Sequence, residues 1–251
     1  MKDKKQSVYW MTGPKPGNFG DLISPMLAEA RGHSIAYASE KAQGKIIGCG
    51  SVIKFTKPHD IIWGTGTPRA TDKFPADKAT FLAVRGPRTR KLVIRNRGVC
   101  PKVYGDPGLL LPRYFPAAKS KKYRIGIIPH CLDYPDVVKQ KIPNDICIIN
   151  LLCGKAKFKD VINQATSCEA IISSSLHGVI LADAYGIPSC WMKFSDRIKG
   201  GEFKFRDYLA TTTRGEIDPE VVSTVSQMTR CVFRRNEPAV DISLLEERCP
   251  V

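Results

Sequence analysis

The stretch Ile171-Ile172-Ser173-Ser174-Ser175-Leu176-His177-Gly178-Val179-Ile180-Leu181-Ala182-Asp183-Ala184-Tyr185-Gly186-Ile187-Pro188 decides the fold. A short apolar run ends in three serines. Apolar residues then recur at helical spacing until Gly186 and Pro188 stop them. Strand, tight turn and helix in that order are the building unit of an α/β protein with a parallel sheet. Free backbone N–H groups at the helix start, beside serine hydroxyls, make an anion site at the strand's carboxyl end. His177 falls at this start. It could donate to a phosphate or carboxylate, or give up a proton. The competing reading is a capped helix whose histidine is satisfied in the core.

The alternation extends outward from this unit. Strands are expected at Tyr123–Ile128, Ile146–Leu151, Ala170–Ser173 and Ser189–Met192, and helices at Lys157–Thr166, Leu176–Tyr185, Pro219–Cys231 and Ser243–Arg248. In the first half, strands are expected at Ser7–Met11, Lys45–Cys49, Asp60–Trp63, Thr80–Val84 and Lys102–Tyr104, with helices at Asp21–Arg31 and Pro87–Asn96. Pro112 to Lys122 carries two prolines and a basic run without periodicity, the pattern of a linker. The expected architecture is therefore α/β, with two Rossmann-like domains, 1–115 and 121–251, facing a cleft. Ligands of such sheets bind at the carboxyl ends of the strands.

Composition narrows the function. The chain has 251 residues, 43% hydrophobic and 25% charged, which excludes disorder, collagen-like repeats and coiled coil. No apolar run approaches the ~20 residues that span a bilayer. The charged start Met1 to Gln6 leads into an apolar stretch too short for a signal-peptide core, so a cytoplasmic location is expected. Lys and Arg total 39 against 24 acids, a formal +15. Such a surface attracts polyanions, anionic substrates or acidic lipid headgroups. The cations are dispersed, and neither an aromatic-rich RNA signature nor zinc-finger spacing occurs, which counts against nucleic acid. The nine cysteines include no CxxC pair. They read as reduced, mostly buried thiols, with neither disulfides nor a bound metal expected.

Further candidates stand at other strand-to-helix turns. In Leu82-Ala83-Val84-Arg85-Gly86-Pro87-Arg88-Thr89, Arg85 would point into the cleft, where a guanidinium matches phosphate or carboxylate bidentately. Arg88 reads almost equally well as half of a surface salt-bridging pair. Gly17-Asn18-Phe19-Gly20-Asp21 opens the first helix. Asp21 is either a general base or a helix-start acid, and position alone favours the second. Gly48-Cys49-Gly50 and Gly64-Thr65-Gly66 each follow a strand without completing a dinucleotide fingerprint. Asp106, in Tyr104-Gly105-Asp106-Pro107-Gly108, belongs to a turn signal first and to the cleft only if the fold is right.

Taken together, Asn18-Phe19-Gly20-Asp21, Ala83-Val84-Arg85-Gly86-Pro87-Arg88-Thr89, Gly105-Asp106-Pro107-Gly108 and Ser174-Ser175-Leu176-His177-Gly178 resemble the polysaccharide pyruvyltransferase family. The resemblance spans about residues 9 to 210. It implies a GT-B-like architecture, phosphoenolpyruvate as donor, no cofactor, and a saccharide or lipid-linked oligosaccharide acceptor that becomes a pyruvate ketal. Peripheral contact with an anionic membrane would follow from a lipid-linked acceptor. Carried over by motif, Arg85 and His177 would hold the donor, and His177 would be the acid. Asp21 joins it as a catalytic candidate, with Arg88, Ser174, Ser175, Asn18, Asp106 and Lys193 as binding candidates. Many members carry Arg directly before Leu-His, where this chain has Ser175. Lys193, Arg197 or Lys204 could supply that charge. Two rival functions are a nucleotide-sugar glycosyltransferase of the same architecture and a non-catalytic polyanion-binding protein.

Overall fold

The computed structural model describes residues 5–198, 200–215, 217–228 and 230–251. Two five-stranded sheets organise it, and every pairing between their strands is parallel. The first comprises β1 (Gln6–Tyr9), β2 (Ile35–Tyr37), β3 (Ile46–Ile47), β4 (Ile61–Trp63) and β5 (Thr80–Ala83), in the order β2-β1-β3-β4-β5. The second comprises β6 (Tyr123–Ile128), β7 (Ile146–Ile148), β8 (Cys168–Ser173), β9 (Ser189–Lys193) and β10 (Glu220–Val221), in the order β10-β9-β8-β6-β7. Ile47, Ile62, Ile125, Ile127, Ile171 and Ile172 are fully buried. Parallel strands covered on both faces call for such β-branched residues.

The helices are α1 (Phe19–Ala30), α2 (Pro87–Arg95), α3 (Leu111–Tyr114), α4 (Tyr134–Val137), α5 (Phe158–Thr166), α6 (Leu176–Ala184), α7 (Phe203–Leu209), α8 (Val225–Met228) and α9 (Ile242–Glu247). In α1, Phe19, Leu22, Ile23 and Leu27 repeat at helical spacing and are buried together. The Asn18 side chain caps its start by accepting from Gly20 N at 3.0 Å. Helix α6 is apolar nearly all round, and seven of its nine residues are buried, so it lies inside the molecule.

One apolar cluster draws on both halves of the chain. Phe19 stacks on Phe158 with ring centroids 4.6 Å apart, and Phe115 meets Phe158 edge-on at 5.4 Å. Each buried ring contributes roughly 1.5–3 kcal/mol. The segment read as a linker is therefore partly structural: α3 ends in it and Phe115 is 4% exposed. The chain's last residues return to first-half elements. Trp63 Nε1 donates to the Leu245 carbonyl at 2.8 Å, and Arg31 Nε to that of Val251 at 2.6 Å.

Several elements differ from expectation. Lys102–Tyr104 forms no strand, only the single bridge Val84–Tyr104. Strand β2 and helix α7 were not expected. The first is three residues long and largely exposed, and the second follows Gly200-Gly201, which reads as loop. Pro219–Cys231, expected as a helix, instead gives edge strand β10 and the one-turn α8, with Thr229 outside the described residues. The β-branched pair Val221-Val222 and the break at Ser223 favour that outcome. Residues 1–4 also lie outside the described residues. Among the described residues no helix is long and apolar enough to cross a membrane.

Candidate active site

A pocket of about 220 Å³ lies where the carboxyl ends of strands from both sheets meet. The first half lends it Asn18 and Asp21 at the start of α1, and Ser51 after β3. The second half lends His130 and Cys131 after β6, Ser175 and His177 at the start of α6, and Lys204 in α7. Sequence-distant turns converge here because parallel strands all end on the same side.

His177 is fixed from two sides. Its ring lies against Gly20, which leaves no room for a Cβ at that position. Nε2 lies 3.3 Å from Cys49 Sγ and 3.9 Å from Asp106 Oδ2. Cys49 is held in turn, its N–H donating to Ser24 Oγ at 2.5 Å and its thiol to Asp106 Oδ1 at 3.1 Å. Asp106 is fully buried and caps a short 3₁₀ turn by accepting from Gly108 N at 2.9 Å. It supports His177 from behind and does not line the pocket.

Arg85 also sits beneath the pocket rather than in it. It is fully buried, its guanidinium lying over Gly66, where a Cβ would collide with it. Nη1 donates to Ser51 Oγ at 2.9 Å and Nη2 to the Thr67 carbonyl at 2.9 Å. Nε lies 3.4 Å from Asp207 Oδ2. Asp207 also accepts from the backbone and hydroxyl of Thr89, at 2.9 and 2.6 Å. Arg85 thus places Ser51, a pocket residue, and contributes charge from below.

The electrostatics are those of a desolvated basic site. Burial pushes His177 down to about 4; Asp106 opposes this, while Arg85 and Lys204 reinforce it. Burial, with Lys204 adding to it, also brings His130 to about 4. Burial and the Arg85 charge lower Lys204 to about 8. Asp21 rises to about 7 through burial, against the pull of Lys204. An incoming anion would favour the charged forms of both histidines and the lysine.

The remaining candidates are dispersed. Ser174 is buried in the wall, its hydroxyl donating to Asp133 Oδ2 at 2.8 Å and accepting from His130 N at 2.9 Å. Ser175 lines the pocket and is the N-cap residue of α6, though its side chain forms no cap hydrogen bond. Lys193 pairs with Asp196 at 2.5 Å beside a separate cavity of about 300 Å³. Arg88 lies in a groove of about 340 Å³ with Lys91 and Arg95. Arg197 contacts Asp136 at 2.6 Å. Of the three cations that could replace the arginine before Leu-His, Lys204 is the one lining the pocket.

The sequence does not single out the side chains of His130, Cys49 and Ser51, although Gly48-Cys49-Gly50 stands out as a turn after a strand. His130 follows a buried strand, as His177 does, and that shared position was the available signal. Cys49 reads as one more small hydrophobe. The donor atoms of Cys190, Glu220 and Cys231 lie within 4.8 Å of one another, the ligand types and spacing a metal ion would accept.

A family model described as "Polysaccharide pyruvyl transferase" matches residues 13–195. "Succinoglycan biosynthesis protein ExoV" of Rhizobium meliloti (strain 1021) is 27% identical over 217 residues, covering 81% of this chain and 63% of that protein. "Uncharacterized protein L143" of Acanthamoeba polyphaga mimivirus is 31% identical over 172 residues, covering 64% of this chain and 58% of that protein. The chain spans about three fifths of the length of these curated relatives. No solved structure matches it at comparable significance.

Proposed function

The chain belongs to the polysaccharide pyruvyl transferase family, and on that premise we propose that it transfers the enolpyruvyl group of phosphoenolpyruvate to a saccharide, forming a pyruvate ketal. The observation that carries this reading is one pocket lined by His177, His130 and Lys204, with Arg85 beneath and Asp21 opposite in charge. Phosphoenolpyruvate brings a phosphate and a carboxylate; Lys204, the charge of Arg85 beneath and the N-terminus of α6 match them, and the histidines can charge as the anion binds. The Rhizobium relative is a succinoglycan biosynthesis protein, which fits a cell-surface or exported glycan as acceptor.

In this scheme protonated His177 gives its proton to the donor's methylene carbon, leaving an oxocarbenium-like C2. A sugar hydroxyl adds to C2 while Asp21 takes its proton. The bond from C2 to the phosphate oxygen then breaks, and phosphate leaves with the electron pair. A second hydroxyl adds to C2 and closes the ketal. The hydroxyls release two protons: one restores the acid and the other leaves with phosphate. A positioned acid is worth ~10²–10⁴-fold.

The test is incubation with phosphoenolpyruvate and a panel of oligosaccharides, following phosphate release and acceptor mass. A ketal mass gain matched to phosphate release supports the reading. Turnover of nucleotide sugars instead would favour the glycosyltransferase alternative.

A further inference from the structure

We infer that Cys49 and Asp106 act as positioning residues that hold neutral His177 in the tautomer protonated at Nε2, leaving Nδ1 as the nitrogen that meets the ligand. The catalytic consequence rests on the pyruvyl-transfer reading above; the tautomer itself does not.

The cluster is closed and buried. Cys49 is 2% exposed and Asp106 fully buried. Two mobile protons serve it, one on the thiol and one on the imidazole. Asp106, as a carboxylate, is acceptor-only. Its Oδ1 accepts a hydrogen bond from the Cys49 thiol at 3.1 Å. The sulfur then has only lone pairs to offer His177 Nε2, 3.3 Å away, so Nε2 must be the donor. Among the described residues Asp106 Oδ2 has no hydrogen-bond partner, and it stands 3.9 Å from the same nitrogen. A proton on Nε2 therefore faces both a sulfur lone pair and a buried carboxylate oxygen. With the thiol turned towards Nε2 instead, that oxygen would face no proton, and buried charge without a donor is costly. Burial also keeps the thiol protonated, so it remains a donor. Nδ1, on the opposite side against Gly20, makes no hydrogen bond among the described residues. It is left for the ligand, and on protonation it becomes the acid.

Long-range ¹H–¹⁵N NMR of histidine-labelled protein reads the tautomer without substrate. Wild type at neutral pH should show His177 protonated at Nε2 and bare at Nδ1. Cys49→Ala should give a mixture of tautomers, and Cys49→Ser, whose hydroxyl can replace both contacts, should restore the Nε2 form. If Cys49→Ala fails to fold, Asp106→Asn replaces it and should also shift the proton. Pyruvyl transfer in Cys49→Ala should fall about 10–100-fold, with phosphoenolpyruvate affinity changed less than about threefold. A wild-type proton on Nδ1, or a tautomer indifferent to both substitutions, overturns the inference. Absence of transfer in wild type would sink the pyruvyl-transfer reading while the NMR result still decided this one.

Discussion

The imidazole of His177 occupies the space that any side chain at residue 20 would need, so Gly20 and His177, in different halves of the chain, are complementary. Asn18-Phe19-Gly20-Asp21 and Ser174-Ser175-Leu176-His177-Gly178 therefore belong to one site: the first supplies the bare backbone on which the histidine of the second rests. Gly20 has no positive φ, so its role is close approach rather than backbone freedom. Gly20→Ala should push the ring off its seat at a stability cost of about 1–3 kcal/mol, the range of an overpacked core. Transfer should fall by at least tenfold. Denaturant unfolding beside a phosphate-release assay checks this, and wild-type activity in a folded variant would refute the contact.

Arg85→Lys keeps the charge and loses the fork that reaches Ser51, Thr67 and Asp207 together. Lysine cannot span the three, so the variant should lose about 1–3 kcal/mol of stability. Donor affinity should fall as Ser51 shifts. A variant with normal stability and only weaker affinity would mean that Arg85 reaches the donor directly.

The division between what the sequence discloses and what it hides is physical. The β8–α6 unit is legible because an apolar run, three serines and a second apolar run stopped by Gly186 and Pro188 follow one another. Helix α7 was not, although Phe205, Tyr208 and Leu209 are its buried stripe, because two glycines precede it and it is only seven residues long. Pro219–Cys231 reads as one helix because Val221, Val222, Val225 and Met228 recur at helical spacing across a two-residue edge strand and a single helical turn. Arg85 was identified as a site residue yet placed on the wrong side of the pocket wall. A motif gives a residue's neighbours in the chain, whereas the depth of its guanidinium depends on Gly66 and Asp207, which are remote in sequence.

Asp21→Asn should stabilise the protein in a pH-dependent way. The folded state raises Asp21 to about 7 through burial, so it holds this proton more tightly than the unfolded chain does. Wild-type stability is then lost as pH rises from about 4 through about 7, and the asparagine variant is spared that loss. Its advantage should be absent near pH 4 and reach a plateau above pH 7, with a ceiling of about 4 kcal/mol. Transfer should be impaired throughout. Urea midpoints at a series of pH values decide it, and an advantage that is constant with pH would mean that Asp21 is ionised in the pocket without strain.

The basic surface should act separately from the pocket. Lys119 and Lys122 border a cavity of about 530 Å³ with Lys159, while Lys121 is occupied by the carbonyls of Thr166 and Cys168. Surface attraction is screened within about 10 Å at 0.1 M salt. Charge reversal at Lys119 and Lys122 should therefore weaken co-sedimentation with anionic vesicles and leave phosphoenolpyruvate binding unchanged. Vesicle binding that ignores lipid charge and salt would contradict recruitment by charge.

On the proposed mechanism His177 should take up its proton together with an anionic donor. In the free protein it stands at about 4, so it is neutral at pH 7. A unit negative charge about 4 Å away, at an effective dielectric of about 20, is worth about 4 kcal/mol, or roughly three pKa units. That is enough to bring His177 to about neutrality when phosphoenolpyruvate binds. Calorimetric titration of phosphoenolpyruvate at pH 7, in buffers of different ionisation enthalpy, counts the protons taken up. Wild type should bind the donor with net proton uptake at pH 7, and His177→Gln should take up about half a proton fewer. Failure of wild type to bind phosphoenolpyruvate, or equal proton uptake by the two proteins, would show that His177 does not charge with the donor.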